Sequence, residues 1–232
     1  MSEHTGIARK SLFLLSYNIF GGIVGYVTMF FALRFVGQDA WGIYGSALGI
    51  AGLLSVISSL GVDSAHVKKV TQKENKDECL GAYMLIKSFL GVIFLVVSFG
   101  VFYIAGDVLG YNFESPYLAT AVYITVFGVF LSSLANVFKT VYQIKLDAIK
   151  SVSPLFVQLV VQDILIIFFS VYYKIHPEIN KQFIGVLFAY SYLLGVFSRL
   201  FMYVLWTFRA VSYTHLRAHE TEADLVCRLL LE

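Results

Sequence analysis

The chain has 232 residues, of which 58% are hydrophobic and only 14% are charged, and its formal net charge is +2. Charged residues make up about a quarter of an ordinary soluble domain, so this composition excludes that class of protein. Two cysteines are too few for a disulfide framework, which also excludes a small disulfide-stabilised secreted fold.

Six apolar segments with polar breaks between them follow one another along the chain. They cover residues 11–36, 41–61, 81–106, 117–138, 153–173 and 183–207. Each has about 20 residues or more, which at 1.5 Å per helical residue is enough to cross a bilayer core of about 30 Å. Because the bilayer core offers no water to the backbone, such segments must be helices. The sequence therefore predicts an all-α integral membrane protein with six transmembrane helices.

The basic residues are distributed unequally between the two sides of these spans. On the side of the amino terminus there are ten, namely Arg9, Lys10, Lys68, Lys69, Lys73, Lys76, Lys139, Lys145, Lys150 and Arg209. On the other side there are three, namely Arg34, Lys174 and Lys181. Since positive residues are retained on the cytoplasmic side, we expect a multi-pass protein of the cytoplasmic membrane with a cytoplasmic amino terminus.

The first two spans form a helical hairpin at residues 18–69 with a recognisable order of polar positions. An Asn lies early in the first helix, Ala-Leu-Arg-Phe-Val-Gly ends it, and Trp-Gly-Ile-Tyr opens the second. The second helix ends in Leu-Gly-Val-Asp-Ser-Ala, shortly before a pair of lysines. This order and spacing resembles the start of the polysaccharide transporters, the Wzx-like oligosaccharide flippases of the multidrug/oligosaccharidyl-lipid/polysaccharide exporter superfamily.

The resemblance implies an architecture and an activity. Members have two lobes of six helices around a central cavity, and they exchange a lipid-linked oligosaccharide diphosphate across the membrane by alternating access. The six spans correspond to the amino-terminal lobe, so the expected partners are the bilayer, this lipid-linked substrate and a carboxy-terminal lobe of the same chain. We expect the first lobe not to function alone. In such a cavity Arg34, Lys87 and Arg199 offset the diphosphate charge, and Asn18 contacts sugar or diphosphate.

Each of these candidates also has a structural interpretation. Asn18 lies about two turns into the first span and could instead hydrogen-bond to a neighbouring helix. Arg34, near the outer end of that span, and Lys87, near the start of the third, could extend their charged groups to the interface. Arg199 is about two turns from the inner end of the sixth span, deep enough to face a cavity.

Asp163 lies near the middle of the fifth span, beside Gln158 and Gln162. A carboxylate at this depth must pair with a cation, take up a proton or face water. One interpretation is a structural ion pair with Lys87 or Arg199. The alternative is a site that couples transport to protons or sodium.

Residues 211–232 have a different origin from the rest. Residues 211–221 and 225–232 resemble the translation of the two constant parts of a transposon-end sequencing adapter, separated by a gap that matches its variable index. We therefore treat 1–210 as the transmembrane lobe and 211–232 as a tail that is not native, and we expect the native frame to diverge near Arg209. His215, His219 and Glu220 could form a metal-binding helix face, but we discount them for this reason. His4, His66 and His176 are isolated, so no metal site is predicted.

Two local features complete the prediction. The glycine pairs Gly21/Gly25 and Gly45/Gly49 fit close helix packing, although glycine is common in membrane helices in any case. Residues 142–150 have an amphipathic pattern typical of an interfacial helix between the fourth and fifth spans, with a solvated loop as the alternative.

Three other functions remain open at this point. A drug or metabolite antiporter of the same superfamily favours acidic residues in its first lobe, and this lobe has more basic ones. A non-transporting membrane scaffold does not need Asn18, Asp163 and Arg199 to face a common cavity. A membrane enzyme needs clustered catalytic residues, and the short loops contain no such cluster, nucleotide-binding loop or nucleophile. We therefore expect neither an enzyme nor a cofactor, and no nucleic acid partner.

Overall fold

The computed structural model describes the backbone of residues 2–72, 76–108, 110, 113–144 and 147–229, and side chains from Leu12 to Phe208 with short gaps. The described part is α-helical and contains no strand. Its helices are α1 (Ser2–Phe35), α2 (Gln38–Leu54), α3 (Val56–Ser59), α4 (Val62–Gln72), α5 (Lys76–Tyr103, continued by a π-helical turn at Ile104–Val108), α6 (Pro116–Ile144), α7 (Ala148–Ile175) and α8 (Lys181–Leu229).

Six helical stretches are long and apolar enough to cross a membrane. They are Leu12–Phe35, Gln38–Val70, Cys79–Gly106, Pro116–Ile144, Ile149–Ile175 and Lys181–Phe208. The prediction of an all-α membrane protein with six spans is thereby confirmed. Polar residues precede the first turns of α6 and α8: Ser115 accepts a hydrogen bond from the Leu118 amide, and Asn180 accepts one from the Gln182 amide.

Helix α8 is the central element, and it packs against α7, α6 and α2. Two of its glycines allow this close approach. A Cβ atom on Gly185 would lie 2.7 Å from the carbonyl oxygen of Ala40, and one on Gly195 would lie 2.9 Å from that of Gln158. Both neighbours are backbone atoms that cannot turn aside, so these two helix crossings require glycine.

Of the two predicted glycine pairs, only Gly21 lies at a close contact between helices. A Cβ atom on Gly21 would lie 2.9 Å from Leu159 Cδ1, which marks a close contact between α1 and α7. Among the described atoms, none lies within 4 Å of a Cβ placed on Gly25, Gly45 or Gly49. Those three glycines instead face open space on the outside of the bundle.

Helix α1 lies at the edge of the bundle, where it packs mainly against α7. In the most apolar part of its span 6% of the residues are buried, compared with 50% in the span of α8. Most of the surface of α1 is therefore available to lipid or to another protein surface.

The second span is not one continuous helix. It is interrupted after α3, where Leu60 has a φ of 37° and Gly61 a φ of 73°, and it resumes as α4. The sequence-based boundary at residue 61 is therefore wrong in one respect, because residues 62–72 are helical and not a loop. A left-handed conformation costs a leucine about 1–2 kcal/mol, so contacts around this break must hold it in place.

The link between α6 and α7 also differs from the prediction. Asp147 caps α7, since its side chain accepts a hydrogen bond from the Lys150 amide at 3.1 Å. The prediction of a continuous interfacial helix over residues 142–150 is therefore wrong.

Helix α8 is described as far as Leu229, so helical geometry does not separate residues 211–229 from the rest. Their origin in an adapter rests on the sequence and stays a prediction.

Candidate functional site

A buried polar cluster surrounds the break in the second span. Lys87, on α5, is 2% exposed, and its Nζ lies 2.8 Å from Asp63 Oδ1 at the start of α4. The same ammonium group donates a hydrogen bond of 3.3 Å to the carbonyl oxygen of Ser58 in α3. Lys87 therefore joins the two helix ends on either side of the break at residues 60–61. The Asp63 side chain is 36% exposed, so this carboxylate also reaches the surface.

Tyr83 lies one turn before Lys87 on the same face of α5 and extends this cluster. Its hydroxyl donates to Asp63 Oδ1 at 2.7 Å and lies 3.3 Å from Thr140 Oγ1 on α6. The ring of His66 stacks on Tyr83 with a centroid separation of 4.0 Å and an interplanar angle of 6°. Polar side chains thus join helices α4, α5 and α6 to one another, which makes the cluster a structural connection between them.

Arg199, on α8, is a buried cation with a different environment. It is 4% exposed, and its Nη2 donates to the carbonyl oxygen and the hydroxyl of Ser132 at 2.9 and 2.8 Å. Its Nε is buried and has no hydrogen-bond partner among the described residues. Within the described part of the chain no carboxylate lies within 4 Å of the guanidinium. Arg199 is therefore held by neutral groups, with its charge unbalanced and one donor unused.

A second cation lies near this guanidinium. Lys139 is on α6, seven residues after Ser132 and so two turns along the same face, and it interacts electrostatically with Arg199 and with Asp63. Tyr17 and Tyr203 also lie within electrostatic range of Arg199. Asp63 already balances Lys87, so the group as a whole has two positive charges in excess. A planar guanidinium within electrostatic range of a second cation, with a donor that has no partner among the described residues, can bind a phosphate-type anion.

Asp163, on α7, is a buried carboxylate that is 7% exposed. The hydroxyl of Thr28, on α1, interacts with this carboxylate but does not reach hydrogen-bond geometry. Tyr44 is also nearby, and its hydroxyl accepts a hydrogen bond of 3.1 Å from Gln162. No basic nitrogen among the described side chains comes within 4 Å of Asp163.

An ion pair between Asp163 and Lys87 or Arg199, one of the two interpretations from sequence, is therefore not formed. Lys87 is bound to Asp63, and Arg199 is bound to Ser132. Among the described side chains, Asp163 therefore has no cationic partner, and Arg199 has no anionic one.

The two candidates on α1 lie far from each other. Asn18 and Arg34 are both exposed, and their separation of 16 positions corresponds to about 24 Å along the helix. The structure places Lys139 within electrostatic range of Arg199, and Asp163 is buried on α7.

Sequence reasoning missed the roles of Asp63, Tyr83 and Lys139. Asp63 was assigned to a loop, and Lys139 served only to establish orientation. A signal was present for one of them: Tyr83 and Lys87 are four residues apart, so they share a helix face near the start of the third span. Nothing in the sequence indicated that Asp63 was the carboxylate they meet.

Comparison with known proteins adds a family to this geometry. The family model described as "Polysaccharide biosynthesis protein" matches residues 7–218. No curated protein and no solved structure matches the chain. The matched range contains all six apolar helices, the Lys87 cluster and Arg199, and it extends eight residues past position 210.

Proposed function

This chain belongs to the polysaccharide biosynthesis protein family, and from that premise we propose that it is a flippase for lipid-linked oligosaccharide diphosphates in the cytoplasmic membrane. The family match and the six spans make the chain a multi-pass membrane protein of a polysaccharide biosynthesis family. In the proposed mechanism the amino terminus is cytoplasmic, and two lobes rock about a central site to expose it alternately to each side.

The observation that carries this proposal is the unbalanced charge of Arg199. Burial of a guanidinium without an anion is costly inside a membrane protein, and such residues mark pathways for substrates or ions. In the proposal, Arg199 and Lys139 receive the diphosphate at the inner half of the lobe while the lipid tail stays in the bilayer. Binding of the diphosphate then supplies the counter-charge that the protein lacks.

The other sequence-derived candidates have more distant roles in this proposal. Lys87 contributes positive potential, although its ammonium group is engaged by Asp63 and Ser58. Arg34 and Asn18 lie on the exposed surface of α1, and there they contact the substrate once a second lobe closes the cavity.

The flippase proposal is tested by reconstitution into proteoliposomes. Because the first lobe is not expected to function alone, the assay uses a chain that includes the carboxy-terminal lobe. We expect this chain to move a fluorescent oligosaccharide diphospho-lipid between leaflets faster than protein-free vesicles do, and to leave a neutral glycolipid with the same glycan unmoved. The difference is expected because only the diphosphate can balance Arg199 and Lys139. Equal rates for both lipids, or no movement of either, would contradict the proposal.

Asp163 is the proposed site of energy coupling, because it is a buried carboxylate without a cationic partner in the described part of the chain. In the same vesicles Asp163→Asn is expected to remove the response of the flipping rate to proton or sodium gradients and to lower that rate about tenfold. Glu178→Gln, at an exposed outer position, is the matched control and should change neither quantity. If Asp163→Asn retains both the rate and the gradient response, Asp163 is not the coupling residue.

A non-transporting membrane scaffold is the second candidate, and one observation favours it. Asn18 is exposed on α1, whereas Asp163 and Arg199 are buried on α7 and α8, so the three side chains differ in their access to a ligand. A scaffold predicts no lipid movement by the purified protein and no effect of Asp163→Asn on polysaccharide export in cells. A drug antiporter is less well supported, since the unbalanced charges near Arg199 are positive.

A further inference from the structure

A polar cavity of about 440 Å³ opens at the outer end of the bundle, on the opposite side from Arg199. Six polar residues line it: Gln38, Asp39, Ser46, Glu114, Ser115 and Gln182. Its volume lies within the range of about 300–1,000 Å³ that is typical of small-molecule sites. The role proposed above for Arg199 and Lys139 does not involve it.

The fold builds this cavity from the outer ends of three helices. Helices α2, α6 and α8 begin here, at Gln38, Pro116 and Lys181. Gly42 forms part of the wall, and no described atom lies within 4 Å of a Cβ placed on it, so its missing side chain leaves the cavity open. Ile43 and Leu118 supply an apolar wall beside the polar groups.

We propose that this cavity binds uncharged sugar rings of the glycan. A sugar hydroxyl is both a donor and an acceptor of hydrogen bonds. Two carboxylates that only accept, two amides that donate and accept, and two hydroxyls form a set that matches several such hydroxyls at once. The side chains of Ile43 and Leu118 can contact the apolar faces of the rings.

Other ligand classes fit this lining less well. No Lys or Arg lines the cavity, and Asp39 and Glu114 repel a phosphate. A metal ion is disfavoured because the part of the chain that the structure describes contains no group of three His, Cys, Asp or Glu residues. A neutral ligand rich in hydroxyl groups remains.

If the proposed function holds, the position of the cavity indicates the step of transport at which it binds the glycan. Gln182 and Arg199 lie 17 residues apart on α8, or about 26 Å along the helix axis. In the inferred orientation the diphosphate site is near the cytoplasmic side, and the cavity is near the outer side. The glycan therefore reaches this second site as it leaves the protein.

The test fills the cavity without disturbing the helix around it. Gly42→Leu places a side chain in the open space, and Gly49→Leu adds the same side chain on α2 outside the lining, where space is also free. Trp206→Phe leaves Trp41 as the only tryptophan. Trp41 precedes Gly42 in the chain and its ring packs against Tyr44 and Phe188, so its fluorescence reports changes in α2 next to the lining. The purified protein with this change is titrated with maltotriose, chitotriose and cellotriose up to about 10 mM.

We expect at least one trisaccharide to change the Trp41 fluorescence in a saturable way. Gly42→Leu should weaken that binding about tenfold or more, and Gly49→Leu should leave it unchanged. Asp39→Asn and Glu114→Gln should change the affinity for the trisaccharide only a few-fold, since an amide still bonds to a hydroxyl. If both variants lose trisaccharide binding and Ca²⁺ competes with the trisaccharide, the cavity is a cation site and the proposal is overturned. No saturable response, or equal binding by Gly42→Leu, would also overturn it. These neutral probes have no phosphate, so this result is independent of the flipping assay.

Discussion

Replacing Asp63 by Asn is expected to lower the melting temperature of the purified protein in detergent by about 10 °C. The substitution removes the negative charge that faces the ammonium group of Lys87, which is 2% exposed, and leaves that group with neutral oxygen acceptors only. Removal of one member of a buried ion pair costs about 3–5 kcal/mol. In a chain of this size 1 kcal/mol corresponds to about 2–4 °C.

The reverse substitution should be milder. Lys87→Met leaves the Asp63 carboxylate unpaired, but that side chain is 36% exposed and can be solvated. We expect a loss of about 1–2 kcal/mol. The double variant should be more stable than Asp63→Asn alone, because it leaves no buried charge without a partner. Additive losses in the double variant would contradict a direct ion pair, and equal losses in the two single variants would contradict the difference in burial.

Replacing Arg199 by Met is expected to weaken the binding of farnesyl diphosphate about 10–100-fold while leaving the protein as stable as before, or more stable. The loss corresponds to about 1.5–3 kcal/mol, the contribution of a hydrogen bond to a charged group. The gain in stability is expected because Arg199 is buried without a counter-ion among the described residues, and an apolar side chain of similar length removes that cost.

The two readouts together separate a binding role from a structural one. Binding is measured by thermophoresis of the protein in nanodiscs, and stability is measured by thermal unfolding. Lys174→Gln removes an exposed positive charge at the end of α7, at a residue that contacts the ring of Phe35, and it should change neither quantity. If Arg199→Met lowers the melting temperature as Asp63→Asn does and binds farnesyl diphosphate normally, then Arg199 is a structural residue.

The amino-acid sequence by itself determined the six membrane spans and the membrane class of this protein. Whether a segment can cross a bilayer depends on its own length and composition, because the hydrocarbon core leaves the backbone no partner except itself. That property is local, so it could be read from residues 11–207 without knowledge of any neighbour. The helix caps formed by Ser115, Asp147 and Asn180 are also local, because each side chain bonds to a backbone amide two or three residues further along the chain.

The sequence did not determine the interruption of the second span, although the conformation is local. Leu60 adopts a left-handed conformation that is unfavourable for a leucine. It persists where Lys87, more than 20 residues away in the chain, binds both Ser58 and Asp63. A pattern that covers residues 41–72 alone contains no information about that lysine.

Only the tertiary structure decided which polar and small residues meet. Asp163, Arg199 and Lys87 were each recognisable as costly inside a membrane, but any of several pairings satisfied the sequence. Lys87 meets Asp63 because of the way α4 and α5 are rotated against each other. In the same way Gly185 and Gly195 make the close crossings, while Gly45 and Gly49 face outward. Helix periodicity determines which residues share a face, and packing between helices determines what that face contacts.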